Sequence, residues 1–293
     1  MQPLHLLLAL LVVVTWGVNF VIMKIGLHGF PPLFLCALRF LMVSIPAIFF
    51  FPRPRASWRL IAGYGLATFA CQFGFMFTGI AIGMPPGLAS LVLQTQAFFT
   101  MGLAALVFGE RPGIWKIVGA LVSFVGIFIV GYNAQATAIL SGFILTLLAA
   151  VSWASGNTVS KKIAPSSALA LVIWGSLVAF PPMLLLSLIV EASAIIMTSF
   201  ANLEWATVGA VSYLVFLSTH FGYSVWGYLL NKYPSATIAP FSLLIPVFGF
   251  LSSAVFLGEE LPIWKIGASL LVIAGLCLNV FESRIRRSFA QRT

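Results

Sequence analysis

The sequence predicts an all-α integral membrane protein with ten transmembrane helices arranged as two inverted five-helix repeats. Three observations predict this: a composition too apolar for water, ten apolar runs of spanning length, and a charged motif that returns 149 residues after its first appearance. Of 293 residues, 61% are hydrophobic and 7% are charged, with a mean hydropathy of +1.11. A soluble domain is about 45–50% apolar and about 25% charged, so this chain cannot hide its apolar surface in one water-soluble core. At about 20 residues per helical span, the length is used up by roughly ten spans, and no extramembrane catalytic domain fits.

The runs fall at 4–25, 32–51, 58–82, 86–108, 114–132, 138–160, 168–190, 205–230, 235–257 and 263–281. Turn-forming stretches separate them, among them Gly29-Phe30-Pro31-Pro32, Gly83-Met84-Pro85-Pro86-Gly87 and Glu110-Arg111-Pro112-Gly113. The first run has no basic leader or small-residue cleavage site and exceeds signal-peptide length, so it is expected to stay as a span.

Ten spans put both termini on one side. Arg284, Arg286, Arg287 and Arg292 assign that side to the cytoplasm, because cytoplasmic loops carry the excess of Lys and Arg. Arg53, Arg55, Arg59, Arg111, Lys116, Lys161, Lys162 and Lys232 join them there, which makes twelve of the 15 cations. Lys24 and Lys265 fall outside, and Arg39 lies in the second run, from which it is expected to snorkel to the outer interface. The net charge of +9 therefore marks orientation, and no nucleic-acid partner is expected. Cys36, Cys71 and Cys277 sit in apolar runs and form no disulfide framework.

The motif Gly109-Glu110-Arg111-Pro112-Gly113-Ile114-Trp115-Lys116-Ile117 returns as Gly258-Glu259-Glu260-Leu261-Pro262-Ile263-Trp264-Lys265-Ile266. Trp16 and Asn19 are echoed more weakly by Trp153 and Asn157. The chain thus divides into 1–133 and 134–293, five spans each. Since five is odd, the second half enters the membrane upside down. Inverted repeats of this kind are the plan of secondary transporters, which hold a small molecule near the midplane between the halves.

Polar groups within spans are costly and mark either a cavity or a helix contact. Trp16, Asn19 and Met23 share one face of the first span, and Trp153 and Asn157 hold the equivalent place in the sixth. Gln72, Gln94 and Gln96 lie in the third and fourth spans among Phe69, Phe73, Phe98 and Phe99; Gln94 and Gln96 cannot share a face. His220, Tyr223 and Trp226 run along the eighth span, where a hydrogen bond to a neighbour is the expected role of the histidine. The residues expected to face a substrate cavity are Trp16, Asn19, Gln72, Gln94, Trp153 and Asn157, joined by Trp174 and Tyr223.

Interhelical bonding by the amides is the alternative. Arg39 is the cationic candidate for a substrate carboxylate. Glu110 and Glu259 are expected to pair at helix ends. Pro46, Pro181, Pro182, Pro240 and Pro246 fall inside spans; Leu91 and Ala97 match the last two, so the halves are expected to differ in stiffness. Gly119 and Ser123, with Ala268, Ala274 and Gly275, are expected to let the fifth and tenth spans pack closely. His5, His28 and His220 lie at different levels and the chain has no Asp, so neither metal, cofactor nor enzymatic activity is expected.

The two five-span halves, Trp16-Gly17-Val18-Asn19-Phe20, Gly87 to Leu93 and the repeated Gly-Glu loops resemble the EamA-domain branch of the drug/metabolite transporter superfamily over the whole chain. Ala9 to Gly26, Met84 to Phe99 and Ser152 to Asn157 are similar to amino-acid and metabolite exporters, including cysteine/O-acetylserine and aromatic amino-acid exporters. The resemblance implies a ten-helix basket in a bacterial inner membrane. It also implies export of neutral or aromatic amino acids and related metabolites by alternating access, possible without a second subunit. A nucleoside, cation or drug exporter of the same superfamily, a membrane enzyme and a structural protein are the rival readings.

Overall fold

A computed structural model describes residues 1–134, 137–164 and 167–290, without the side chains of 137, 138, 235, 236 and 283–290. The tail arginines used for orientation therefore fall outside the described side chains, and Arg292 falls outside the described residues altogether. Among the described residues the regular structure is entirely helical, as expected where a bilayer leaves backbone groups no partner but their own segment.

Ten helices are long and apolar enough to span a membrane: Pro3–Gly29, Pro32–Phe49, Trp58–Ala81, Pro86–Phe108, Ile114–Asn133, Ile139–Ile163, Ala168–Val190, Trp205–Lys232, Ala239–Leu257 and Ile263–Glu282. They are called spans 1 to 10 below. An additional short helix, Ser193–Ala201, fills the long connection between spans 7 and 8. Its Phe200 packs against Phe30 and Phe34 at 5.2 and 5.6 Å between ring centres.

Spans 5 and 10 interlock as small residues require. A methyl group added at Gly119 would lie 2.4 Å from the Gly275 carbonyl oxygen, and one at Gly275 would lie 2.2 Å from that of Gly119. The Ser123 hydroxyl donates to the Val272 carbonyl at 3.0 Å, tying the pair further. Spans 4 and 9 each end on a glycine at positive φ, Gly109 at +67° and Gly258 at +65°. Only a residue without a Cβ takes that turn cheaply, which explains why both copies of the motif begin with glycine.

Proline shapes only some of the spans. Span 2 stays α-helical from Pro32 to Ser44 and turns extended at Ile45, just before Pro46, whereas Pro181 and Pro182 sit in an unbroken helix. The prolines of span 9 do not set it apart in shape, because spans 4 and 9 are interrupted at matching depth. Span 4 breaks between Pro86–Leu93 and Gln96–Phe108, and span 9 passes through a 3₁₀ segment, Ala239–Leu244, before Ile245–Leu257. Without a proline, span 4 uses Thr95, whose hydroxyl donates to the Val92 carbonyl at 2.7 Å. Spans 3 and 8 also match, each carrying a π-helical stretch at Leu66–Cys71 and Tyr213–Phe221.

The two membrane faces differ. On the face of Glu259, the first half of span 4 packs along the second half of span 9, which also packs along span 1. There the Glu259 carboxylate accepts from the Gly87 amide at the start of span 4 and from Lys265 Nζ, both at 3.0 Å. A carboxylate at a helix N-terminus satisfies an orphan amide and the helix dipole together. On the same face Glu191 accepts from the Leu33 and Phe34 amides at 2.6 and 2.9 Å, capping span 2. On the opposite face, the second half of span 4 and the first half of span 9 do not pack in the mirrored way. On that face a cleft of about 280 Å³ lies between spans 4, 5, 6 and 10, lined among others by Thr100, Phe108, Glu110, Lys116, Asn157 and Lys161. Glu110 pairs with Lys161 at its exposed rim. Among the described residues, spans 4 and 9 are thus packed together at Glu259 and apart at Glu110.

Candidate functional site

The π-helical stretch of span 8 organises the polar interior. A π turn carries its backbone bonds one residue further than an α turn and exposes groups an α-helix would use up, as often happens at functional sites. The Trp16 indole N–H donates to the Ser218 carbonyl at 3.0 Å. Its ring lies 5.5 Å from Tyr223 and 5.3 Å from Trp226. Tyr213 donates its hydroxyl to the Thr15 carbonyl at 2.8 Å, fastening span 8 to span 1 one residue before Trp16.

His220 fills a bonding role. Its Nδ1 lies 3.0 Å from the Val215 carbonyl and its Nε2 lies 3.2 Å from that of Val43, near the end of span 2. The ring therefore bridges two spans where Pro46 ends the second.

Arg39 departs from expectation. It does not snorkel: span 2 turns it into the protein, where it is 1% exposed. Its Nη2 donates to the Thr219 hydroxyl at 3.1 Å and lies 3.5 Å from that of Ser218. The Phe73 ring of span 3 covers the guanidinium at 4.2 Å, a cation–π contact. Nε and Nη1 have no partner.

Two amides expected to line a cavity are buried beside unused bonding capacity. Asn19 is 6% exposed with its Oδ1 unpaired, and Gln72 is 1% exposed with its Oε1 unpaired. Gln72 follows the π-helical stretch of span 3 and directly precedes Phe73. Trp16, Tyr223 and Arg39 thus gather around the π-helical stretch of span 8, with Phe73 of span 3 over the guanidinium, while Asn19 and Gln72 are buried on spans 1 and 3.

The remaining residues lie elsewhere. Asn157 donates from Nδ2 to Gln96 Oε1 at 3.3 Å and to the Thr100 hydroxyl at 3.2 Å, on the wall of the cleft. Trp153, one turn earlier, is half-buried. Gln94 donates to the Ser242 carbonyl at 3.1 Å, joining the break of span 4 to the 3₁₀ segment of span 9. It is a cross-link between helices, and its near neighbour Gln96 bonds Asn157. Trp174 donates to the Phe51 carbonyl at 3.0 Å and packs on Trp58, holding span 7 to the loop after span 2. Arg39 is the residue whose depth sequence reasoning misjudged. For Arg39 the signal was present: a cation seven residues from the nearest end of an apolar run is deep for snorkelling.

The profile of the EamA-like transporter family matches residues 3–132 and again residues 140–281. A Salmonella typhimurium protein described as a probable amino-acid metabolite efflux pump is 47% identical over 96% of both chains. An Escherichia coli protein of the same description is 45% identical over 96% of both. A solved crystal structure, 18% identical, aligns over 95% of this chain and 96% of its own with a TM-score of 0.64, a likeness of fold alone.

Proposed function

The chain belongs to the EamA-like transporter family, and from that premise we propose that it exports neutral and aromatic amino acids and related metabolites by alternating access. The observation that carries this reading is full-length similarity, at 47% and 45% identity, to two proteins described as probable amino-acid metabolite efflux pumps. The ten spans make it a multi-pass membrane protein. We place it in a bacterial inner membrane as a monomer without enzymatic activity. Residues 1–133 and 134–293 form the two repeats, both termini lie in the cytoplasm, and Glu110 faces the cytoplasm with Arg111, Lys116 and Lys161. With that orientation spans 4 and 9 are packed together on the outer side and apart on the cytoplasmic side.

In this proposal Trp16, Asn19, Gln72 and Tyr223 contact the cargo between spans 1, 2, 3 and 8, Trp153 and Asn157 line its entry, and Gln94 and Trp174 hold the walls. The cargo is zwitterionic, and neutral amides with aromatic rings suit it because they bind both charges without the desolvation penalty of a fixed ion. The test is uptake of labelled amino acids, nucleosides and lipophilic cations into proteoliposomes, with an imposed pH gradient as the variable. Uptake of neutral and aromatic amino acids is expected. Uptake of a cation with every amino acid excluded overturns the substrate class.

A further inference from the structure

Arg39 poses an energetic problem that the fold leaves unsolved. An arginine at the centre of a spanning helix costs roughly 2.5–3.5 kcal/mol to insert, and a buried charge is normally retained with a counter-ion. Among the described residues no carboxylate pairs with Arg39. Glu191 is committed to the amides of span 2 and Glu259 to Gly87 and Lys265. Two hydroxyls face a single guanidinium nitrogen, and Nε and Nη1 are buried without partners.

The unmet demand has a complementary half. Asn19 Oδ1 and Gln72 Oε1 are buried acceptors without donors, and an unsatisfied buried polar atom costs about 1–3 kcal/mol. Phe73, which covers Arg39, follows Gln72 in the chain, and Trp16, three residues before Asn19, bonds the backbone of Ser218, whose hydroxyl faces Arg39. Buried free donors on span 2 and buried free acceptors on spans 1 and 3 are thus both present in the interior. A molecule carrying a carboxylate and an ammonium satisfies both.

We propose that Arg39 is the carboxylate anchor of the transported zwitterion, and that the amide oxygens of Asn19 and Gln72 receive its ammonium group. The assignment rests on the amino-acid reading above and specifies it. Because Arg39 is 1% exposed here, the anchor is reached only when the surrounding spans part.

The test compares thermal unfolding of the purified full-length protein with three probe types: phenylalanine, 3-phenylpropanoate, which lacks the amine, and phenethylamine, which lacks the carboxylate. Phenylalanine is expected to raise the melting temperature and phenethylamine to leave it unchanged. Arg39→Met, which keeps an unbranched apolar stem, should melt no lower than the parent without ligand, yet lose at least tenfold in apparent affinity for phenylalanine. Arg39→Lys recovers part of that loss. Gln72→Leu should weaken phenylalanine and spare 3-phenylpropanoate.

Unchanged phenylalanine affinity in folded Arg39→Met, or in Arg39→Gln should the first variant fail to fold, overturns the anchor and leaves amino-acid export standing. A response to 3-phenylpropanoate but not to phenylalanine upholds the anchor and overturns the amino-acid reading. A parent protein that responds to phenethylamine alone, or to none of the three, overturns both.

Discussion

At the scale of single residues, the interior depends on side chains that complete irregular backbone. Trp16→Phe removes the donor to the Ser218 carbonyl and keeps most of the ring contact with Tyr223 and Trp226. It should lower stability by about 1 kcal/mol, read as a reduced melting temperature in detergent. Asn157→Leu acts differently, because Asn157 and its partner Thr100 lie on the cleft wall. It should lower transport while the yield of folded protein stays unchanged; normal transport rates would exclude Asn157 from the entry route.

The residue types of this site were legible in the sequence, since Trp16, Asn19 and Gln72 stand out in apolar helices. Their roles were not. Gln94 reaches the Ser242 carbonyl where the chain breaks at Gln94 and Thr95, which shifts the helical phase on which any assignment of faces depends. Arg39 looked like an interfacial residue because span 2 is apolar all round, and nothing in such a helix tells which way its one cation points.

At the scale of elements, spans 3 and 8 share a π-helical stretch and spans 4 and 9 share a break, and neither feature was legible. Proline is the visible cause of a break only in span 9, where Pro246 occupies the first turn of Ile245–Leu257. A first-turn proline gives up an amide that has no helical partner anyway. Pro246→Ala should therefore change the melting temperature by no more than the equivalent of about 1 kcal/mol and leave the break in place. A loss of several kcal/mol would show that the ring itself is the structural element. The close contact of spans 5 and 10, by contrast, followed directly from Gly119, Ser123 and Gly275, because steric room is a property of residue type and survives ignorance of the neighbours.

At the scale of the whole molecule, the count of ten spans and the division into halves were legible because both are written in one-dimensional signals, hydropathy and a repeated motif. The packing of spans 4 and 9 at Glu259 and their separation at Glu110 were not, because two nearly equivalent halves are compatible with either arrangement. Glu259→Gln weakens the bond to Lys265 and the cap on span 4. It should raise the reactivity of a cysteine placed at Ser90, which lies against Gly249 on the face of Glu259, severalfold toward a membrane-impermeant thiol reagent in a variant lacking the three native cysteines. Unchanged reactivity would show that the clamp does not hold that face.

The duplicated Gly-Glu loop has a thermodynamic consequence. Glu110 and Lys116 stand where Glu259 and Lys265 stand in the other half, yet here Glu110 is engaged by Lys161. A substitution in one copy weakens the state now populated, while the same substitution in the other copy falls on the state that is not, and an equilibrium responds only to that difference. Perturbations of the two copies should therefore carry opposite signs, so that the paired variant Glu110→Gln with Glu259→Gln lies nearer the parent than Glu259→Gln alone. In a chain built twice and inverted once, the effect of a mutation is antisymmetric in the half that bears it.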